Sequence, residues 1–212
     1  MLAMRVLFLS PHTDDVELGA GGTLTQLREQ GHEVYWLVFS TAESSLPPDV
    51  PRDTLKKEFL EVAGNMGLGD DHYRIFDFMV RYLPDHRQQI LEELVKAKRE
   101  FSPDLVIGPS LNDHHQDHEV VAKEMVRAFK NSSSIISYEL PWNHTEFDNQ
   151  LFIKLARRQI DRKVELLSCY RSQVRLERPY FSSDFIHGWA RMRGGQVGAE
   201  YAEAFEVIRW IM

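Results

Sequence analysis

Short apolar runs alternate with amphipathic stretches along most of the chain. The runs beginning at Val6 ("VLFL", through Ser10) and Val34 ("VYWLVF", through Phe39) are continuous. Continuous runs of this length predict strands covered on both faces. Leu105–Gly108 ("LVIG") and Ile135–Tyr138 repeat the pattern, and Tyr73–Phe76 predicts a further short strand. Between these runs, apolar residues recur three and four positions apart. Leu24 and Leu27 predict a helix over 23–30, ended by Gly31. Leu55, Phe59, Val62 and Ala63 predict one over 54–66, and Ile90, Leu91, Leu94 and Val95 one over 87–101. Val121, Ala122, Met125, Val126 and Phe129 line a fourth. Pro47, Pro48 and Pro51 make 42–53 a loop.

Strand–helix alternation up to residue 140 predicts an α/β fold, a Rossmann-like, mostly parallel sheet flanked by helices. The pattern then changes. Residues 142–150 show no period, 155–170 read as a basic amphipathic helix, and 205–210 as a closing strand. The expectation is one domain over 1–212, a core of 1–140 carrying a small C-terminal α+β extension over 141–212.

Bulk composition narrows the function classes. The chain has 212 residues, 43% hydrophobic and 27% charged, as in a soluble globular domain. A net charge of −7 argues against nucleic acid as a partner. No run approaches the ~20 apolar residues of a transmembrane helix, and the first apolar run is too short for a signal segment. The single cysteine, Cys169, excludes an internal disulfide and suits a reducing compartment, so a cytoplasmic location is expected. Homo-oligomerisation stays open.

Two polar clusters follow predicted strands. His12, Asp14, Asp15 and Glu17 follow the first; Asn112, Asp113, His114, His115, Asp117 and His118 follow "LVIG". In open parallel sheets ligands bind beyond the carboxyl ends of strands, so both clusters have the same address if both strands are central. Imidazole and carboxylate together suggest a divalent metal. His12 and Asp15, three residues apart, fit one turn, and His118 begins a helix; these three make a two-nitrogen, one-oxygen set with room for water. Zinc suits that set, and so does the iron(II) of non-haem oxygenases. Asp14 is left free to take a proton from water, and His115, if protonated, to stabilise an oxyanion. Asp113 and Asp117 have a plainer reading as helix caps. A non-catalytic metal module is the other alternative. Gly19, Gly21 and Gly22 lack the third glycine of a dinucleotide fingerprint, and close helix packing explains them better. Asn112 and Arg81 are candidate substrate contacts, Arg81 toward an anionic group. Trp142, Trp189 and Tyr180 are candidates for an interface, a ligand platform or ordinary packing.

"HTDDVELGAGG" and "DHHQDH", with weaker "YRSQ" and "YAEAF", resemble the PIG-L/LmbE-like zinc-dependent N-deacetylases. The resemblance implies Zn2+ held by His12, Asp15 and His118, Asp14 as general base, and His115 as second catalytic group. It also implies that Asp117 orients an active-site histidine, that Glu43 and Asp77 contact the sugar, and that the substrate is an N-acetylglucosamine-type amino sugar. Thr13 and Gln116 stand where the family commonly has proline.

Overall fold

The computed structural model describes residues 3–212. Seven strands form one sheet: β1 (Arg5–Ser10), β2 (Glu33–Val38), β3 (Tyr73–Ile75), β4 (Leu105–Gly108), β5 (Ser134–Tyr138), β6 (Leu151–Leu155) and β7 (Tyr201–Arg209). Their order is β3-β2-β1-β4-β5-β7-β6. The first five are parallel, and β7 runs antiparallel to both neighbours. The helices are α1 (Asp15–Glu29), α2 (Thr54–Asn65), α3 (Arg87–Phe101), α4 (Gln116–Phe129), α5 (Arg157–Ser168), α6 (Arg171–Val174) and α7 (Ser183–Gln196). The α/β class and the mostly parallel sheet are as expected.

Strand alternation divides the core. Val6 and Phe8 face α1, α2 and α5 through Leu24, Phe59 and Ile160. Leu7 and Leu9 face α3 and α4 through Ile90, Leu94, Val121 and Met125. Both faces are covered, which is why the strand sequences read as unbroken apolar runs. No helix among the described residues is long and apolar enough to cross a membrane.

The first helix begins earlier than its periodicity suggests, at Asp15 instead of Thr23. Asp15 and Glu17 occupy its first turn, where the helix dipole favours carboxylates. Ala20 breaks the helical path (φ −143°, ψ 18°). Beyond that kink the backbone N–H groups of Gly22 and Thr23 donate to Glu203 at 3.0 and 2.7 Å. The start expected at Thr23 is thus the start of the second half of a kinked helix, capped from β7. The glycines are there for close approach: a Cβ on Gly19 would lie 2.5 Å from the Tyr138 ring, and one on Gly22 2.5 Å from Leu155 Cδ1.

The C-terminal region holds more order than its sequence pattern predicts. β6 and α7 have no counterpart among the expected elements, and β7 begins at Tyr201, earlier than the expected 205. Three glycines, Gly188, Gly194 and Gly195, mask α7. Gly194 lets the helix meet the following turn, since a Cβ there would sit 2.7 Å from the Ala199 carbonyl oxygen.

Candidate active site

β1 connects outward to β2 on one side of the sheet, and β4 leads to β5 on the other. The crevice between the carboxyl ends of β1 and β4 is therefore the topological switch point. The turn after β1 delivers His12, Thr13 and Asp14 to it; the loop after β4 delivers Asp113 and His115, and the first turns of α1 and α4 add Asp15 and His118. A cleft of about 230 Å³ opens there.

Three side-chain atoms form a near-equilateral triangle. His12 Nδ1 lies 3.2 Å from His118 Nε2 and 3.4 Å from Asp15 Oδ2, and His118 Nε2 lies 3.4 Å from Asp15 Oδ2. A tetrahedral zinc ion with arms of about 2.05 Å has donor-to-donor edges of about 3.3 Å. The triangle matches those edges, and the two-imidazole, one-carboxylate donors suit a divalent cation. Each imidazole also has a carboxylate behind it. His12 Nε2 is 3.0 Å from Asp117 Oδ2, and His118 Nδ1 is 2.8 Å from Asp113 Oδ2. Behind His12 this hydrogen bond fixes ring orientation and tautomer, and behind His118 the Asp113 carboxylate stands at contact distance, where a carboxylate strengthens a ligating imidazole. Asp117 is itself held by the backbone N–H groups of Arg81 (2.6 Å) and Leu83 (3.2 Å).

The electrostatics follow from crowding. Burial opposes charge on His12, but Asp15 and Asp117 outweigh it and hold the imidazole pKa up at about 10 without metal. Burial also opposes charge on Asp15, which His118 and His12 overcome, leaving it at about 2. Burial, then the neighbouring Asp15, push Asp14 up to about 6. The Asp14 side chain makes no capping bond to α1 and faces the cleft.

His115 differs from the sequence-based picture of a protonated ring. Burial and then the His12 and His118 charges lower its pKa. Its Nδ1 accepts the Asp117 backbone N–H at 3.2 Å, capping α4. That bond assigns the ring proton to Nε2, so His115 is a neutral N–H donor. The nitrogens of His12, His115 and His118 lie within 4.8 Å of one another.

The remaining candidates lie off the cleft wall. Glu43 is exposed, although Ala42 and Ser45 beside it line the cleft. Asp77 is exposed. The Arg81 guanidinium turns to the Ser44 carbonyl (3.3 Å), while its backbone, at φ 73°, serves Asp117. Asn112 donates to Glu206 at 3.2 Å, away from the cleft. Asn143 and Arg178 line the cleft without a signal in the sequence, from non-periodic segments after residue 140, while Gln173, the last residue of the weakly matching "YRSQ", reaches it from α6. Trp142 and Tyr180, both sequence candidates, do line it, stacked at 4.1 Å and 14°. Trp189 is turned inward, its Nε1 donating to Glu139 at 2.9 Å.

The model of the PIG-L family, GlcNAc-PI de-N-acetylase, matches residues 7–129, more than half the chain and both site-forming segments. The chain belongs to the PIG-L family. Its similarity extends to the uncharacterized deacetylase YaiS of Escherichia coli K12, 23% identical over 169 residues that cover 79% of this chain and 90% of that protein. Among solved structures, the N,N'-diacetylchitobiose deacetylase of Pyrococcus horikoshii superposes with a TM-score of 0.78 at 20% identity, over 98% of this chain and 84% of the other. GalB, the 4-carboxy-2-hydroxymuconate hydratase of Pseudomonas putida KT2440, superposes with a TM-score of 0.79 at 19% identity, over 99% and 98%. One fold thus serves a deacetylase and a hydratase, and chemistry has to be argued from the site.

Proposed function

We propose that this PIG-L family member is a metal-dependent N-deacetylase of N-acetylglucosamine-type amino sugars. The observation that supports this most is the donor triangle of His12, Asp15 and His118 with the uncommitted carboxylate of Asp14 beside it. Bound to that triangle, a divalent cation would polarise an amide carbonyl and lower the pKa of a water to about 7. Zinc fits the set, and iron(II) has the same donor preference.

The chain's own groups complete the reaction. Asp14, which lines the cleft with no capping bond, accepts a proton from the attacking water and later gives it to the departing amine. His115 donates its Nε2 proton in a hydrogen bond to the developing oxyanion. Asp117 and Asp113 keep the His12 and His118 rings in register. The stacked Trp142–Tyr180 pair offers an aromatic wall to the apolar face of a sugar ring. Glu43, Asp77, Arg81 and Asn112 retain at most an outer role on this reading.

The test is metal-loaded protein with a panel of N-acetylated amino sugars: free, phosphorylated and glycosidically linked. Equal amounts of acetate and free amine are expected from at least one, abolished by a chelator and restored by zinc. Metal-loaded protein that releases no acetate from any of them, yet hydrates an unsaturated carboxylate, would assign it to the hydratase chemistry that this fold also carries.

A further inference from the structure

Asn143 is a polar side chain of the cleft that the reaction described above does not use, and it is anchored through both its backbone and its amide. It ends a 3₁₀ turn (Pro141–Asn143) at the exit from β5. Its backbone N–H donates to the Leu140 carbonyl at 2.8 Å, and its carbonyl accepts the His114 N–H at 3.0 Å. Its Nδ2 donates to Asp113 Oδ2 at 3.2 Å. Asp113 Oδ2 is the oxygen 2.8 Å from His118 Nδ1, and Asp113 Oδ1 accepts the His115 backbone N–H at 2.8 Å. Asn143 therefore braces the carboxylate that sets one of the metal-binding imidazoles.

The amide orientation follows from chemistry. Asp113 already meets N–H groups on both oxygens, Oδ1 accepting the His115 backbone N–H at 2.8 Å and Oδ2 lying 2.8 Å from His118 Nδ1, so toward Asn143 it acts as an acceptor. The atom facing Asp113 must be the NH₂ group. Oδ1 is left without a hydrogen-bond partner on a residue that lines the cleft. A carbonyl oxygen so placed accepts and cannot donate.

The turn that presents Asn143 is itself fixed by α7. Glu139, 4% exposed, accepts hydrogen bonds from Trp189 Nε1 and Arg193 Nε, both at 2.9 Å, and from Arg193 Nη2. These bonds clamp α7 onto the end of β5 just before the turn. Asn143 is thus held by its surroundings with one polar atom left over, the arrangement of a side chain positioned for a ligand.

We propose that Asn143 is a substrate-binding and positioning residue: its Nδ2 braces the Asp113–His118 pair, and its Oδ1 accepts a hydroxyl or N–H donor of the substrate. The second half rests on the deacetylase reading; the first does not. The acceptor-only character of Oδ1 makes it selective for a substrate with a donor at that point.

The experiment separates the two halves. Zinc affinity is measured by competition against a chromophoric chelator for the wild type, Asn143→Ala, and Asn143→Leu, which keeps the volume and removes both polar atoms. Both variants should bind zinc about 10- to 100-fold more weakly, the range seen when a group orienting a metal ligand is lost. Thr145→Ala, which removes the His114 partner on the same loop (3.0 Å) outside the cleft, should leave zinc affinity unchanged. For the substrate half, KM at saturating zinc should rise about 2- to 12-fold in Asn143→Leu, the cost of one neutral hydrogen bond. Unchanged zinc affinity in Asn143→Leu, equal weakening by Thr145→Ala, or an unchanged KM overturns the proposal. Wild-type protein that binds zinc but releases no acetate would instead refute the deacetylase reading, leaving the zinc arm a valid test of the Asp113 brace.

Discussion

Tyr170 has one phenolic proton and two oxygens at 2.6 Å: the Thr13 carbonyl and Glu17 Oε1. The carbonyl can only accept, so it takes the phenolic proton, and Glu17 must then donate to the phenol. Glu17 is consequently a neutral acid. Burial pushes its pKa well above the ordinary 4.5. Because the folded value is the higher one, the stability this group contributes is complete below pH 4.5 and is lost as pH rises toward the folded pKa. In Glu17→Gln, an amide donates in the carboxyl's place and nothing titrates. In urea melts of metal-free protein, the stability of Glu17→Gln relative to wild type should therefore grow as pH rises from about 4.5 to neutrality. A difference that stays flat over that interval would mean that Glu17 folds ionised. Asp14 makes a second prediction at this scale. With its pKa held near 6 in metal-free protein, and lower beside a bound cation, kcat/KM should show an acid limb at or below about 6. Asn at this position should keep the metal, remove the limb, and cost about 10²- to 10⁴-fold in rate. Full activity in Asp14→Asn would remove Asp14 from the role of base.

At the scale of elements, the kink in α1 shows how distant segments settle a local conformation. Glu203 of β7 accepts Gly22 N–H and Thr23 N–H and pairs with Lys163 of α5 at 2.8 Å. Both partners are nearly sealed, at 2% and 4% side-chain exposure. Lys163 also lies 4.8 Å from the Trp189 ring centroid. Removing one partner of a buried pair strands the other charge, which costs about 3–5 kcal/mol. Glu203→Ala should lose that much in a urea titration, and Glu203→Gln combined with Lys163→Met should recover a good part of it. A loss below about 1 kcal/mol for Glu203→Ala would show that the pair does not hold the second half of α1. The limits of sequence pattern lie in the same place. α3 and β4 are legible to the residue because one buried stripe and one apolar run define them. The start of α1 is not, because its N-terminal turn is made of acidic site residues and its middle of glycines that meet Tyr138 and Leu155. α7 is hidden for the same reason: its Gly194 answers to the packing of a later turn.

At the scale of the whole molecule, the site exists only because the sheet changes direction between β1 and β4. That switch brings His12 and Asp15 against Asp113, Asp117 and His118. The meeting of these residues is legible in the sequence, since imidazole and carboxylate cluster at the ends of two apolar runs that a parallel sheet sets side by side. The walls of the cleft are less so: Asn143 and Arg178 lie on turns with no period, Gln173 sits on the short α6 within the weak "YRSQ" match, and tertiary packing carries all three there. The candidates Glu43, Asp77, Arg81 and Asn112 show the converse, that a polar residue on a rim loop need not face the cleft. The proposed chemistry depends on a divalent cation seated between the two strand ends. Anomalous diffraction from a crystal of the zinc-loaded protein tests this directly. A strong peak is expected within about 2.0–2.2 Å of His12 Nδ1, Asp15 Oδ2 and His118 Nε2. Zinc-loaded crystals with no peak there, or with their strong peak on another part of the surface, would contradict it.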